Sequence, residues 1–394
     1  MNDIVILSAV RTPVGRYGGS LKDLNSGHLG AIVIEEAIKR AGILASQVDE
    51  VILGEVRQST ESSNVARVAA LRAGVPDTTP AFTINRLCAS GMQAVASAAQ
   101  QIASGQAEIV VAGGTESMSN APVYLRNTRF GGDNAKLVDS NTEAGQQPHE
   151  IYGNQLGMGI TAENVAERYS ISRADQDAFA LESQQKAAEA IKNNKFRDEM
   201  VPIKITRKKN SFLFSEDEHP RPDTTIESLS KLKPVFKENG TVTAGNACGR
   251  NDGAAALVLT SSSYAESLAL KPIARIIDWA AAGVSPELMG IGPVPAVKKL
   301  LLRTGLTLNE IDLIELNEAF ASQALAVIRE LDLDVNRVNV NGGAIALGHP
   351  LGATGAKIMT TLIHELIRRQ EKRGIATLCI GGGQGMAIMV ELIG

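Results

Sequence analysis

"AEIVVAGGTESM" (residues 107–118) and "ATLCIGGGQGMA" (residues 376–387) decide how this chain is read. Each is a short β-rich run entering glycines after a buried-helix pattern, and they lie in opposite parts of the chain. Before the first run the pattern alternates through "DIVILSA", "SGHLGAIVIEEAIKRAG", "VDEVILGEV" and "SGMQAVASAAQQIASG", which is strand, helix, strand, helix. That order predicts a largely parallel sheet in an α/β protein. Around the second run, "KPIARIIDWA", "GPVPAVKKLLLRTG", "EIDLIELNEAF" and "GATGAKIMTTLIHELIRRQEKRG" replay the theme. The spacing predicts two related halves from an internal duplication. The first half covers residues 1–118 plus about 251–271, and the second covers 272–394. Residues 119–250 are polar and irregular but carry a helical "SRADQDAFALESQQKAAEAIKNN". An insertion of that length with its own helix reads as an ordered lid or substrate platform.

Composition supports a large layered core. The chain has 394 residues, 44% of them hydrophobic and only 4% aromatic, so Ala, Val, Ile and Leu must build the interior. The opening "IVILSAV" is too short to span a bilayer and lacks a basic flank. It reads as a first strand ending at Arg11-Thr12-Pro13, with no membrane partner and a cytoplasmic location. Three widely spaced cysteines, Cys88, Cys248 and Cys379, suit free thiols in a reducing compartment better than a disulfide framework or zinc ribbon. A net charge of -4 removes the electrostatic motive for binding nucleic acid. Arg207, Lys208 and Lys209 then read as a solvated face.

The glycines of "CIGGGQG" match neither phosphate-binding template, since no Lys-Ser/Thr follows them and no third glycine stands in register. Cys379 just before them suggests thiol chemistry beside backbone N–H donors at Gly381 to Gly383; tight strand packing is the other reading. Cys88 precedes an Ala-rich helix without charges. Its place at a helix N-terminus predicts a lowered thiol pKa, whereas Cys is also a common buried small residue. His349 sits in the glycine-rich "NVNGGAIALGHPLGATGAK" and is a candidate base or a loop-bonding histidine. His364 lies on a plain helical face and reads as structural, and His28, His149 and His219 as loop or cap residues. Asn317, followed by Glu318, can cap the next helix or hold a water or oxyanion at a strand end.

Taken together, "NRLCASGMQAV", "TAENVAERYSISRADQDAFALESQQKA", "TVTAGNACGRNDGAAA", "ELNEAFASQALAV", "VNVNGGAIALGHPLGATGA" and "LCIGGGQGMA" closely resemble the thiolase family, in the same order and over nearly the whole chain. The biosynthetic, acetyl-transferring branch is the most similar. The resemblance implies two duplicated βαβαβαββ halves in a layered α-β-α-β-α core with an inserted loop domain. It implies a ping-pong condensation of two acetyl-CoA to acetoacetyl-CoA and CoA, and the reverse thiolysis, in a homotetramer or homodimer. No cofactor or metal is implied, because coenzyme A thioesters are substrates.

By motif, Cys88 is the implied nucleophile, His349 its base and Cys379 the acid/base. Asn317 holds a water, and Gly381 supplies an oxyanion N–H. Met158, Arg221, Ser228, Phe236, Ala244, Ala319 and Phe320 are the implied coenzyme A contacts. Cys248 stands where the family commonly has a Ser, and Gly157 where it often has a His before Met158. Degradative 3-ketoacyl-CoA or 3-oxoadipyl-CoA cleavage, a non-catalytic acyl-CoA or lipid carrier, and a zinc site of Cys88, His349 and Cys379 are the alternatives.

Overall fold

The structure is a computed structural model that describes residues 3–131, 134–143, 145–207 and 210–393. The first half runs β1 (Ile4–Arg11), α1 (Ser26–Ala41), β2 (Glu50–Gly54), α2 (Val65–Arg72), β3 (Ala81–Ile84), α3 (Ser90–Ala103) and β4 (Ile109–Ser117). The insertion holds a hairpin (Val123–Arg126 with Lys136–Asp139), α4 (Met158–Arg168), α5 (Arg173–Lys192) and a second hairpin (Ile203–Arg207 with Asn210–Phe214). The chain then returns through β5 (Asn251–Ser261) and β6 (Ala274–Gly283) to α6 (Pro293–Thr304), β7 (Leu313–Leu316), α7 (Ala321–Leu331), α8 (Leu351–Arg369), β8 (Arg373–Ile380) and β9 (Gln384–Leu392).

Local chemistry explains these boundaries. The Asn25 side chain accepts from the His28 N–H at the start of α1, and Gly42 ends that helix at φ 71°. Pro293 opens α6 and Gly305 closes it at φ 70°. β1 and β5 are buried along their full length, so both lack polar alternation.

The strands follow the order β3-β2-β4-β5-β1-β6-β9-β8-β7, and among the described residues β1 meets β6 through three residue pairs. β2 runs parallel to β3 and β4, and β5 antiparallel to β4 and β1. In the second half β7 runs parallel to β8, and β9 antiparallel to β8 and β6. Thus β1, β2, β4 and β5 correspond to β6, β7, β8 and β9. The counterpart of β3 shrinks to one parallel bridge between Ile314 and Val338.

Helices α3 and α8 lie between the two sheet halves and share a core with both, including Met92, Met359, Ala112, Leu257, Leu378 and Ile388. α1 and α2 cover the outer face of the first half, and α6 and α7 that of the second. The result is the five-layer α-β-α-β-α arrangement.

The glycine match that suggests the duplication is out of register. Asp49 accepts from the N–H groups of Glu108 and Ile109 and Asp312 from those of Lys372 and Arg373, which aligns Ile109 with Arg373, so Thr115 occupies the place of Cys379. Gly113 and Gly114 do not turn the chain. A Cβ on Gly114 would lie 2.0 Å from the Gly352 carbonyl oxygen, so this glycine lets α8 approach. Gly382 and Gly383, at φ 78° and 84°, form the β8–β9 turn. The insertion replaces that three-residue turn in the first half. Gly114→Ala is expected to lower unfolding stability in urea by about 1–3 kcal/mol through overpacking. Gly283→Ala, whose new Cβ would meet only the Gly383 oxygen at 3.9 Å, is expected to stay within about 0.5 kcal/mol of the parent.

Candidate active site

The duplication brings two loops to one place, the turn before α3 and the turn before α8. Cys88 stands two residues before Ser90 and His349 two residues before Leu351, and both line one cavity of about 480 Å³ with Cys379. Leu87 has φ 47°. Ser90 Oγ holds this tight turn, donating to the Leu87 carbonyl (2.6 Å) and accepting from the Arg86 N–H (2.9 Å). On the other side, Asn251 Oδ1 accepts from the His349 N–H at 3.0 Å.

Hydrogen bonding fixes the His349 tautomer. The Thr354 hydroxyl donates its one proton to the Pro350 carbonyl at 2.8 Å, so toward His349 Nδ1, at 2.6 Å, it can only accept. Nδ1 therefore carries the proton and Nε2 is left bare. Asn317 Nδ2 lies 3.5 Å from Nε2, and Asn317 Oδ1 is buried with no donor among the described residues. Asn317 is not a helix cap. The N–H groups of Ala319 and Phe320 donate to Gln323 Oε1 instead, because α7 begins four residues later. Burial, helped by the charge of Lys357, pulls the His349 pKa down to about 3, so the imidazole is neutral.

All three cysteines are free and line the same cavity. Burial raises each thiol: Cys88 above its usual value, Cys248 to about 12, and Cys379 well above. The expected lowering at Cys88 is thus reversed. The backbone N–H groups of Gly381 and Cys88 bond to its sulfur and pull the other way, but desolvation is the larger effect.

A second cavity of about 590 Å³ adjoins the first, and Phe236, Cys248 and Gly249 line both. Met158, Ala319 and Phe320 line the inner space, and Arg221, Ser228 and Ala244 the outer one. All eight residues expected to contact coenzyme A, Cys248 included, therefore face this pair of cavities. Phe236 and Phe320 meet edge to face, with ring centroids 6.3 Å apart.

Glu318 ties the insertion to the loop that leads to His349. Its carboxylate accepts from Ser183 Oγ of α5 (2.7 Å), Asn339 Nδ2 (2.8 Å) and the Ile345 N–H (3.2 Å).

Several lining residues escape sequence reading: Arg57, Asn141 and Gln146 in the inner cavity and His219 in the outer one. Burial and the charges of Arg221 and Arg16 hold His219 at a pKa of about 4, so this residue is a cavity wall rather than a mere loop or cap histidine. His364 is structural, with Nε2 2.9 Å from the Ala9 carbonyl. Arg207 is exposed and lies 3.6 Å from Asp23, while Lys208 and Lys209 fall outside the described residues. No group of potential metal ligands occurs among the described residues, and no helix among them is long and apolar enough to cross a membrane.

Two thiols and a neutral imidazole around backbone N–H donors, at the end of a largely apolar cleft, define a thiol-dependent acyltransferase. The chain belongs to the thiolase family: residues 4–263 match its N-terminal domain and 270–392 its C-terminal domain. An acetyl-CoA acetyltransferase of Pseudomonas aeruginosa is 52% identical over 98% of this chain and 99% of its own. A β-ketoadipyl-CoA thiolase of the same organism is 49% identical over 99% of each.

The crystal structure of the Bacillus anthracis acetyl-CoA acetyltransferase superimposes with a TM-score of 0.97 at 49% identity, covering 100% of this chain and 99% of that one. The human mitochondrial 3-ketoacyl-CoA thiolase in complex with CoA gives 0.94 at 46%, covering 100% and 98%.

The depressed His349 pKa sets a pH dependence. Between the ordinary 6.5 and about 3, the unfolded chain binds a proton that the folded protein refuses. Stability is therefore unaffected by this residue above pH 6.5 and falls as pH drops toward 3. His349→Asn is expected to flatten that decline in urea unfolding measured between pH 7 and pH 4.

Proposed function

We propose that this protein is an acetyl-CoA C-acetyltransferase, joining two acetyl-CoA into acetoacetyl-CoA and CoA and catalysing the reverse thiolysis. The observation that carries the proposal is the bare Nε2 of a neutral His349 in one cavity with Cys88 and Cys379. Relatives named acetyl-CoA acetyltransferase, and a structural neighbour solved with CoA, support the substrates.

The groups start neutral, so the steps must pass protons among themselves. His349 Nε2 takes the Cys88 thiol proton as the sulfur attacks the thioester carbonyl of acetyl-CoA. The developing oxyanion lies against the N–H groups of Cys88 and Gly381, where each donor contributes about 2.7–4 kcal/mol. Cys379 gives its proton to the departing CoA sulfur and becomes a thiolate beside the imidazolium. The product is acetyl-Cys88, which keeps thioester activation.

A second acetyl-CoA then loses a methyl proton to the Cys379 thiolate. Its high thiol pKa in this buried place makes that thiolate a strong base. The enolate oxygen is held by the imidazolium and by a water donating to Asn317 Oδ1. The enolate carbon attacks the acetyl carbonyl, and the Cys88 sulfur leaves and recovers its proton from His349. Both thiols and the imidazole are again neutral.

The compartment we propose is the cytoplasm, where three free thiols stay reduced. A homodimer or homotetramer is supported by the apolar surface of the first insertion hairpin, where Leu137 is 72% and nearby Phe130 97% exposed. Cleavage of longer 3-oxoacyl chains is a second reading, supported by a relative named β-ketoadipyl-CoA thiolase.

Cys88→Ala is expected to remove all covalent acetylation by acetyl-CoA in intact-protein mass spectra, and a labelled acetyl group still bound to that variant would overturn the assignment. Cys379→Ala should be acetylated at Cys88 more slowly, since CoA must then leave as the thiolate, and lose condensation by about 10²–10⁴-fold. A kcat/KM for acetoacetyl-CoA above that for longer 3-oxoacyl-CoA would separate the two readings.

A further inference from the structure

Glu116 belongs to no step above, yet it is a fully buried carboxylate next to the last residue of β4. It accepts from three main-chain N–H groups, all of them outside its own strand. Oε1 accepts from Arg57 at 3.0 Å. Oε2 accepts from both Val56 at 3.1 Å and Gly352 at 2.8 Å, so a single oxygen joins two segments of chain.

Each segment belongs to one catalytic turn. Gly352 is the second residue of α8 and follows His349 by three. Pro350, which precedes α8, offers no side-chain cap, so Glu116 reaches across from the first half to satisfy an N–H of this helix start. Val56 and Arg57 follow β2, whose last residue packs on the Cys88 turn: a Cβ on Gly54 would lie 2.4 Å from the Ser90 carbonyl carbon. Asn85 Nδ2, three residues before Cys88, donates to the Val56 carbonyl at 3.4 Å. The main chain beside the nucleophile and the main chain beside the base are therefore tied to one carboxylate.

This link has no counterpart on the other side of the duplication. With Ile109 aligned to Arg373, Ile380 stands where Glu116 does, and its side chain cannot accept a hydrogen bond. Glu55, the other buried carboxyl nearby, is kept protonated at neutral pH, because burial and the charge of Glu116 push its pKa up to about 8. Burial raises Glu116 as well, but the N–H groups of Arg57, Gly352 and Val56 pull it back and favour its ionised form.

We infer that Glu116 is a positioning residue: by bridging Val56 and Gly352 it sets the approach of His349 Nε2 to the Cys88 thiol for the proton transfer that opens the cycle. The inference rests on the thiolase reading and adds a residue to its first step.

The test follows acetylation of Cys88 by acetyl-CoA in rapid-quench intact-protein mass spectra. Glu116→Gln keeps the shape but turns an NH₂ toward one set of N–H donors, so at least one bond is lost. Its acetylation rate at saturating acetyl-CoA should fall by about 10–100-fold, while the half-saturating concentration stays within about threefold of wild type. Glu116→Asp keeps the charge on a shorter arm and should show a smaller loss of the same kind. Because the effect passes through His349, adding Glu116→Gln to His349→Ala should slow the residual acetylation by less than about twofold.

A folded Glu116→Gln acetylated at the wild-type rate overturns the inference and leaves the thiolase reading standing. So does a loss confined to half-saturation, or one that persists in full without His349. If Glu116→Gln does not fold, an unimpaired Glu116→Asp overturns it, and failure of both variants to fold makes Glu116 a stability residue and overturns it too. A wild type that takes up no acetyl group at Cys88 removes the parent reading and this one together.

Discussion

Everything at the active site depends on the contact between α3 and α8 at the centre of the five layers. The two helices meet at backbone distance. A Cβ on Gly91 would lie 2.8 Å from the Gly352 carbonyl oxygen, and one on Gly355 would lie 2.4 Å from the Met92 nitrogen. Because these helices are equivalent elements of the two halves, their leading turns arrive side by side and bring Cys88 and His349 to one cavity. An ordinary side chain at any of these glycines would push the turns apart, and misplacement by about 1 Å can cost 10²-fold in rate.

Burial sets the electrical state of the site. It holds three thiols protonated and one imidazole neutral, so the resting cleft contains no catalytic ion to be solvated. Charges then appear in pairs during reaction and disappear with it, in surroundings where backbone donors act strongly. Thr354 and Asn317 give this neutral site its polarity, one by orienting the imidazole and the other by presenting a buried carbonyl oxygen that no donor among the described residues reaches. Arg57 and Arg250 are the exceptions, permanent charges in the same wall.

Much of this was legible in the chain. Alternating strand and helix patterns disclose the two halves, and the order of the thiolase-like motifs picks out Cys88, Asn317, His349 and Cys379. The insertion hides more. Asn141 and Gln146 lie in an irregular stretch with no periodic signal, and His219 stands in a loop where nothing local marks a cavity wall. The matched glycines misled on register, because Gly114 answers to a helix pressed against the strand and Gly383 to a turn. A sequence shows the residue type in both places but not which constraint selects it.

The amino-acid sequence by itself determined the element order and the duplicated α/β plan, which rest on local periodicity, while the reactive groups followed from the resemblance of its motifs to the thiolase family. Only the tertiary structure decided which way those groups titrate, which imidazole nitrogen is bare, and that Asn317 faces a cavity rather than a helix end. Desolvation and hydrogen-bond partnership are imposed by residues far apart in the chain. Cys88 shows the difference: its place before a helix argues for a lowered pKa, and burial among distant residues raises it.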